Sequence, residues 1–180
     1  IRLLSFLVLL SACTPMASKN DLLDVPNLST AKGKDVVVLL HGYYGSALVD
    51  AEGSRQFLKI LPILFGHFKI GMEPERLGLQ APTLSAAGTL SEFPVAPFYT
   101  IDVYGEGFRQ LQNVTDLVIP FHYDWRRDLG KVSSEFSDFL KKLEAEDPKS
   151  IHLIGHSMGG LIATYSYVYG GQDPLKRSEE

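Results

Sequence analysis

Cysteine is almost absent from this chain. Cys13 is the only one in 180 residues, so neither an intrachain disulfide nor a cysteine-built metal site can form. A basic surplus is absent too. The 17 Lys and Arg are outnumbered by 21 Asp and Glu, and a net charge of −4 argues against a nucleic-acid binder. No apolar run approaches the roughly 20 residues that a membrane-crossing helix needs. Internal repeats and low-complexity tracts are missing as well. Histidine does not occur anywhere after position 157. What remains is ordinary for a globular protein. The hydrophobic share is 45% and the charged share 21%, which excludes a disordered tail, a collagen-like repeat and a highly charged coiled coil. The length fits one domain.

The chain opens on Ile1 rather than Met, so an earlier start is expected. After Arg2, Leu3, Leu4, Phe6, Leu7, Val8, Leu9 and Leu10 form a short apolar run that fits the central region of a signal peptide, placed at 1–12. Leu10-Ser11-Ala12-Cys13 resembles the lipobox of bacterial lipoproteins. The resemblance implies that Cys13 is diacylated, becomes the mature N-terminus and anchors the protein. Thr14 after the cysteine, rather than Asp, points by the same resemblance to the outer membrane of a bacterial cell envelope. The alternative is an ordinary cleaved secretory signal with an incidental cysteine, giving a secreted or periplasmic protein. Residues 13–34 read as the lipidated cysteine and a flexible tether, because Pro15, Ser18, Pro26, Ser29, Thr30 and Gly33 punctuate them.

Residues 35–180 carry the alternation of an α/β domain. Asp35–Leu40 is an unbroken β-branched and leucine run, the signature of a strand covered on both faces of a parallel sheet. Residues 115–120 and 150–155 predict two more strands. Between them Val132, Phe136, Phe139, Leu140 and Leu143 recur at helical spacing on one face, and Pro148 follows the helix. A further helix is predicted from about Met158 to Tyr169, stopped by Gly170-Gly171. Tyr104 to Gln112 suggests a short helix. Phe57 to Phe65 has helical spacing broken by Pro62, and 71–98 reads as a loop-rich excursion that helps to shape a substrate site.

Gly155-His156-Ser157-Met158-Gly159 matches G-x-S-x-G, directly after a strand and before a helix. The turn is so tight that the serine is forced into a strained backbone conformation. A Cβ two positions to either side would collide with strand or helix, hence the glycines. The geometry lifts Ser157 Oγ clear of the sheet as a nucleophile and aims the Met158 amide at an oxygen bonded to the carbon under attack. A glycine-rich strand–helix turn with a chance serine is the alternative. His41-Gly42-Tyr43-Tyr44-Gly45, at the end of the first strand, resembles the oxyanion loop of α/β-hydrolases. That resemblance makes the backbone amide of Tyr43 the second oxyanion donor.

Two further blocks resemble the lecithin:cholesterol acyltransferase-like branch of that superfamily. They are Gly45-Ser46-Ala47-Leu48-Val49-Asp50 and Tyr123-Asp124-Trp125-Arg126, in family order across 41–160 with the Gly-His-Ser-Met-Gly-Gly run. The branch often has proline before the oxyanion glycine, where this chain has His41. The resemblance implies a mostly parallel sheet with flanking helices and a serine-dependent hydrolase of carboxylic, lipid-like esters, or an O-acyltransferase. Tyr123 to Arg126 are read as architecture rather than chemistry: Asp124 can accept from Arg126, Arg127 or loop amides, and Trp125 can wedge beneath a loop.

In this fold the acid and the base follow the serine in the chain. All five histidines, His41, His67, His122, His152 and His156, precede Ser157, and Asp173 follows it too soon to be the acid. His152 reads as core or sheet face, and His122 is the only tempting substitute base. The chain is therefore read as the N-terminal part of the hydrolase fold, lacking its C-terminal strands and expected to show little activity alone. Phe57, Phe65, Phe93, Phe98, Tyr99 and Phe108 could line an acyl pocket, although core packing explains most of them. No cofactor, metal or nucleic-acid partner is expected; an ester substrate and a membrane are. The rival reading is a non-catalytic, lipid-anchored binding protein that keeps the fold.

Overall fold

A computed structural model describes residues 21–56, 84–96 and 99–170. The centre is strand β1, Asp35–Leu40. Its side chains alternate between two apolar layers. Val36, Val38 and Leu40 enter one cluster, and Val37 and Leu39 enter the other. A strand buried on both faces has no polar face to show, which is why its sequence is continuously apolar. Strand β2, Ser46–Val49, follows the turn after β1. It pairs antiparallel with β3, Ser85–Thr89. Strands β4, Glu92–Ala96, and β5, Tyr99–Asp102, form a second antiparallel pair. Helix α1, Gly105–Gln112, strand β6, Leu117–Phe121, helix α2, Leu129–Glu144, strand β7, Ser150–Gly155, and helix α3, Met158–Tyr169, complete the described order.

The main sheet runs β6-β1-β7, all parallel. Phe108 of α1 packs with Val37, Leu39 and Val118 on one face. Val132, Phe136 and Leu143 of α2 and Ile162 of α3 pack with Val36, Val38 and Ile119 on the other. The layering is α/β with helices on both faces, as the sequence pattern predicts. Asp128 starts α2 by accepting hydrogen bonds from the N–H groups of Gly130 (2.9 Å) and Lys131 (3.2 Å). Gly170 ends α3 in the left-handed conformation, φ 57°, with its N–H on Ser166 O at 2.8 Å.

Three expectations change. The second strand occupies 117–121 instead of 115–120. Thr115 and Asp116 spend their side chains on the start of β1 instead: the Thr115 hydroxyl donates to Asp35 O (2.8 Å), and the Asp116 carboxylate accepts from Asp35 N–H (3.0 Å). Residues 85–96, read within a loop, are strands. Ser85-Ala86-Ala87-Gly88-Thr89 carries no apolar alternation, and its extended state comes from pairing with β2. The tether reading fails for 21–34. Leu23 N–H donates to Thr89 O at 2.8 Å, Leu22 bridges Leu90, and Leu23 and Ala31 are buried. A 3₁₀ turn at Leu28–Ala31, capped by Asn27, lays this segment against the domain. The signal-peptide segment 1–12, Cys13, and the readings for 57–65 and 71–83 lie outside the described residues.

Beyond β6 the chain stays buried while carrying charge. Asp124 and Arg126 are both within 5% side-chain exposure and pair through Nη2–Oδ2 at 2.6 Å and Nε–Oδ1 at 2.9 Å. Arg126 N–H also donates to Asp124 Oδ1 at 3.0 Å, closing a local clamp. Removing one partner of such a pair strands a charge away from water. Arg126→Met should therefore cost about 3–5 kcal/mol of folding stability, read from urea unfolding. The double variant Asp124→Leu/Arg126→Met should cost less than the single one, because no lone charge stays behind.

Candidate active site

The turn between β7 and α3 is set by three close backbone contacts. A Cβ on Gly155 would stand 2.5 Å from Gly160 N. A Cβ on Gly159 would stand 2.5 Å from both Leu40 O and His41 O. Neither position has room for any other residue. His156 N–H continues the strand by donating to Leu40 O at 3.0 Å. Ser157 then takes φ 53°, ψ −117°, a conformation that costs a non-glycine residue about 1–3 kcal/mol. Its side chain is exposed and makes no capping hydrogen bond to the helix it precedes. Met158 N–H opens α3, where the first amides have no acceptor inside the helix.

The loop after β1 lies directly against this turn. A Cβ on Gly42 would be 3.0 Å from both Ser157 Cβ and His156 Nδ1. The Gly42 carbonyl accepts from His41 Nδ1 (2.8 Å) and from Gly45 N–H (3.0 Å), which fixes the plane of the peptide joining Gly42 to Tyr43. That peptide is trans, so the Tyr43 N–H points opposite to the carbonyl and away from the His41 ring. Tyr44, at φ 63°, turns the chain back. Gly45 completes the reversal against His41, whose Cβ would be 2.6 Å from any Cβ placed there.

A buried polar chain holds the loop from beneath. The His41 ring stacks on Tyr123, with centroids 4.0 Å apart and planes 7° from parallel. Tyr123 N–H donates to His41 Nε2 (3.3 Å), and the Tyr123 hydroxyl donates to His41 O (2.5 Å). The Ser46 hydroxyl donates to Tyr123 O (2.7 Å), and Trp125 Nε1–H to Ser46 O (3.3 Å). Edge contacts to the Trp125 ring support Tyr43 (4.8 Å) and Tyr44 (4.6 Å). With Nδ1 donating and Nε2 accepting, His41 is a neutral imidazole. Burial pushes its pKa down to about 4, against the raising effect of its bonds to Gly42 and Tyr123. Burial lowers His122 as well, and its Nδ1 is buried without a partner.

Ser157, Met158 and the Tyr43 loop thus meet at one end of the sheet, while Cys13 lies outside the described residues. Tyr123 to Arg126 are architectural, with Asp124 on Arg126 and Trp125 under the loop. Arg127 instead pairs with Glu135 at 2.6 Å. His152 is exposed, not core. Its Nε2 meets Ser150 Oγ at 3.0 Å at the opposite end of β7, which pairs only with β1 among the described residues. Phe108 belongs to the core beneath α1 and not to a pocket at the serine. Phe93 is half-buried on β4, and Phe57, Phe65, Phe98 and the Tyr99 side chain lie outside what is described. Tyr104 was legible only as the edge of a helix, yet its hydroxyl sits 2.8 Å from Gly42 N and 2.8 Å from His156 Nδ1. A hollow of about 460 Å³ beside it, lined by Leu39, Tyr104, Phe108, Leu111, Val114 and Ile154, does not include Ser157.

The model of the Alpha/beta hydrolase family matches residues 37–176. No curated protein and no solved structure matches the chain.

The state of His41 makes a pH prediction. Unfolded, it protonates near its ordinary value of 6.5; folded, it stays neutral down to about 4. The folded chain binds fewer protons in that window, so stability present above pH 6.5 is lost as pH falls toward 4. The loss is up to about 3 kcal/mol. Thermal unfolding followed from pH 7 to 4 should show the decline. His41→Asn, which keeps a donor toward Gly42 O and cannot titrate, should flatten it. An equally steep decline in that variant would contradict the assignment.

Proposed function

The chain belongs to the Alpha/beta hydrolase family, and from that premise we propose that it serves a serine-dependent hydrolase of carboxylic, lipid-like esters, working through an acyl-serine. The observation that carries this reading is the exposed Ser157 at φ 53°, with Gly42 so close that a Cβ added there would stand 3.0 Å from Ser157 Cβ. A strained, solvent-facing hydroxyl at a helix N-terminus contributes nothing to packing. It makes sense as a nucleophile.

Ser157 Oγ attacks the ester carbonyl carbon and gives its proton to a base. The carbonyl oxygen becomes an oxyanion and accepts from the backbone N–H groups of Met158 and Tyr43. In comparable sites one such donor is worth about 2.7–4 kcal/mol. Collapse of the tetrahedral intermediate breaks the bond to the alcohol, which leaves with the proton. Water then attacks the acyl-serine and releases the acid. An alcohol in place of water gives the acyltransferase outcome; the Gly45–Asp50 and Tyr123–Arg126 blocks resemble a branch that holds both activities, and His41 in place of its usual proline speaks for the hydrolase.

Among the described residues no histidine is assigned to the base. His41 has both ring nitrogens engaged, His152 lies at the far end of β7, and His156 is bonded to Tyr104. This also favours one alternative, an anchored binding protein without chemistry, since no histidine bonds Ser157 among the described residues. The proposed setting is the bacterial envelope, with Cys13 acylated and the protein held at the outer membrane; a secreted or periplasmic protein is the alternative.

Ser157→Ala in the full-length protein should lower p-nitrophenyl ester hydrolysis by at least about a thousandfold with unchanged thermal unfolding. Retention of the original rate would overturn the enzyme reading. Incorporation of labelled palmitate that disappears in Cys13→Ser would separate the anchored protein from a secreted one.

A further inference from the structure

We infer that Tyr104 is a positioning residue, whose hydroxyl ties the loop carrying one oxyanion donor to the turn carrying the nucleophile. This rests on the ester-hydrolase reading of Ser157. The tyrosine oxygen has one proton and two acceptor sites. It accepts from Gly42 N–H at 2.8 Å, an amide that can only donate, and it bonds His156 Nδ1 at 2.8 Å as well. Gly42 immediately precedes Tyr43, and His156 immediately precedes Ser157. One hydroxyl therefore bonds the residue before the proposed donor and the residue before the proposed nucleophile.

The base on which this hydroxyl stands is rigid. The N–H groups of Val103, Tyr104 and Gly105 all converge on Ser91 O, at 2.9, 3.2 and 3.1 Å. A Cβ on Gly105 would stand 2.6 Å from Ser91 Oγ, so that side chain would have to turn away. Tyr104 O then accepts Phe108 N–H at 2.8 Å as α1 begins. Burial holds the Tyr104 hydroxyl above its ordinary pKa, so it keeps its proton at neutral pH and can donate throughout. The loop side of the link matters most. The Gly42 carbonyl is fixed by His41 and Gly45, and the Gly42 N–H by Tyr104, so the peptides on both sides of Gly42 are fixed. Losing the hydroxyl leaves that amide without its acceptor and leaves the first of these peptides held only at its carbonyl, by the Tyr123 hydroxyl, which loosens the placement of the Tyr43 amide that follows.

Tyr104→Phe keeps the ring and deletes the link. In the full-length protein, kcat for a p-nitrophenyl ester should fall about 10- to 100-fold, the scale of a small misplacement of donors, while KM stays within about twofold. Inhibition by an alkyl boronic acid, which forms a tetrahedral adduct on a serine, should weaken by a similar factor. Hydrogen exchange supplies a readout independent of activity. The Gly42 amide should exchange about tenfold faster in the variant, with the Val38 amide of β1 unchanged. Equal acceleration at both amides would mean general loosening and would overturn the proposal, as would a kcat within about twofold of the parent. Ser157→Ala is measured alongside. If it is inactive while Tyr104→Phe is unaffected, only the positioning role fails; if it stays active, the hydrolase reading itself fails.

Discussion

Backbone meets backbone at the end of β1, and the site depends on that contact. Gly159 lies so close to the Leu40 and His41 carbonyls that a single methyl group would not fit. Gly155 and Gly160 press together in the same way one turn earlier. These contacts bring the start of α3 down onto the central strand and leave Ser157 nowhere to go but into a positive-φ conformation. Because β1 is covered on both faces, the surface against which the turn is pressed belongs to the core. Ser157 inherits its placement from the core rather than from a loop.

The other half of the site is held by polar groups that have no water. His41, Tyr123, Ser46 and Trp125 pass hydrogen bonds among themselves where the sheet ends, and Asp124 and Arg126 close on each other beside them. Such a network is stiff when complete and costly when broken. The molecule thus has two kinds of cohesion. The layers on either face of the sheet are apolar and indifferent to acid. The clamp under the Tyr43–Tyr44 loop relies on a histidine that must stay neutral. Acid is therefore expected to weaken the fold through this clamp before it protonates the clamp itself.

Much of this was legible from residue order because the forces were local. The apolar run of β1 follows from its two covered faces, the spacing in α2 from its single buried face, and the glycines around Ser157 from sterics within a few residues. Non-local structure was hidden. Ser85 to Thr89 are small residues whose extended state is imposed by β2, and the polar look of 21–34 concealed Leu23 and Ala31, which are buried. The exposure of His152 follows from a strand paired on one side among the described residues, which no pattern within 150–155 encodes. Tyr104 reaches Gly42 and His156 from a distant stretch of sequence, and a tyrosine at the edge of a predicted helix carries no mark of that reach. His41 was visible only as a departure from a family pattern, while its neutral bridging role required Tyr123 to be seen against it.

The twist at Ser157 sets durability against usefulness. Glycine would adopt that backbone shape without strain, so the easiest way to harden this domain is to delete the hydroxyl on which the proposed reaction turns. Selection for robustness alone would drift toward a sturdier, mute relative. Under the proposed reaction, the strain at Ser157 is what it takes to hold a hydroxyl where glycine would rest more easily.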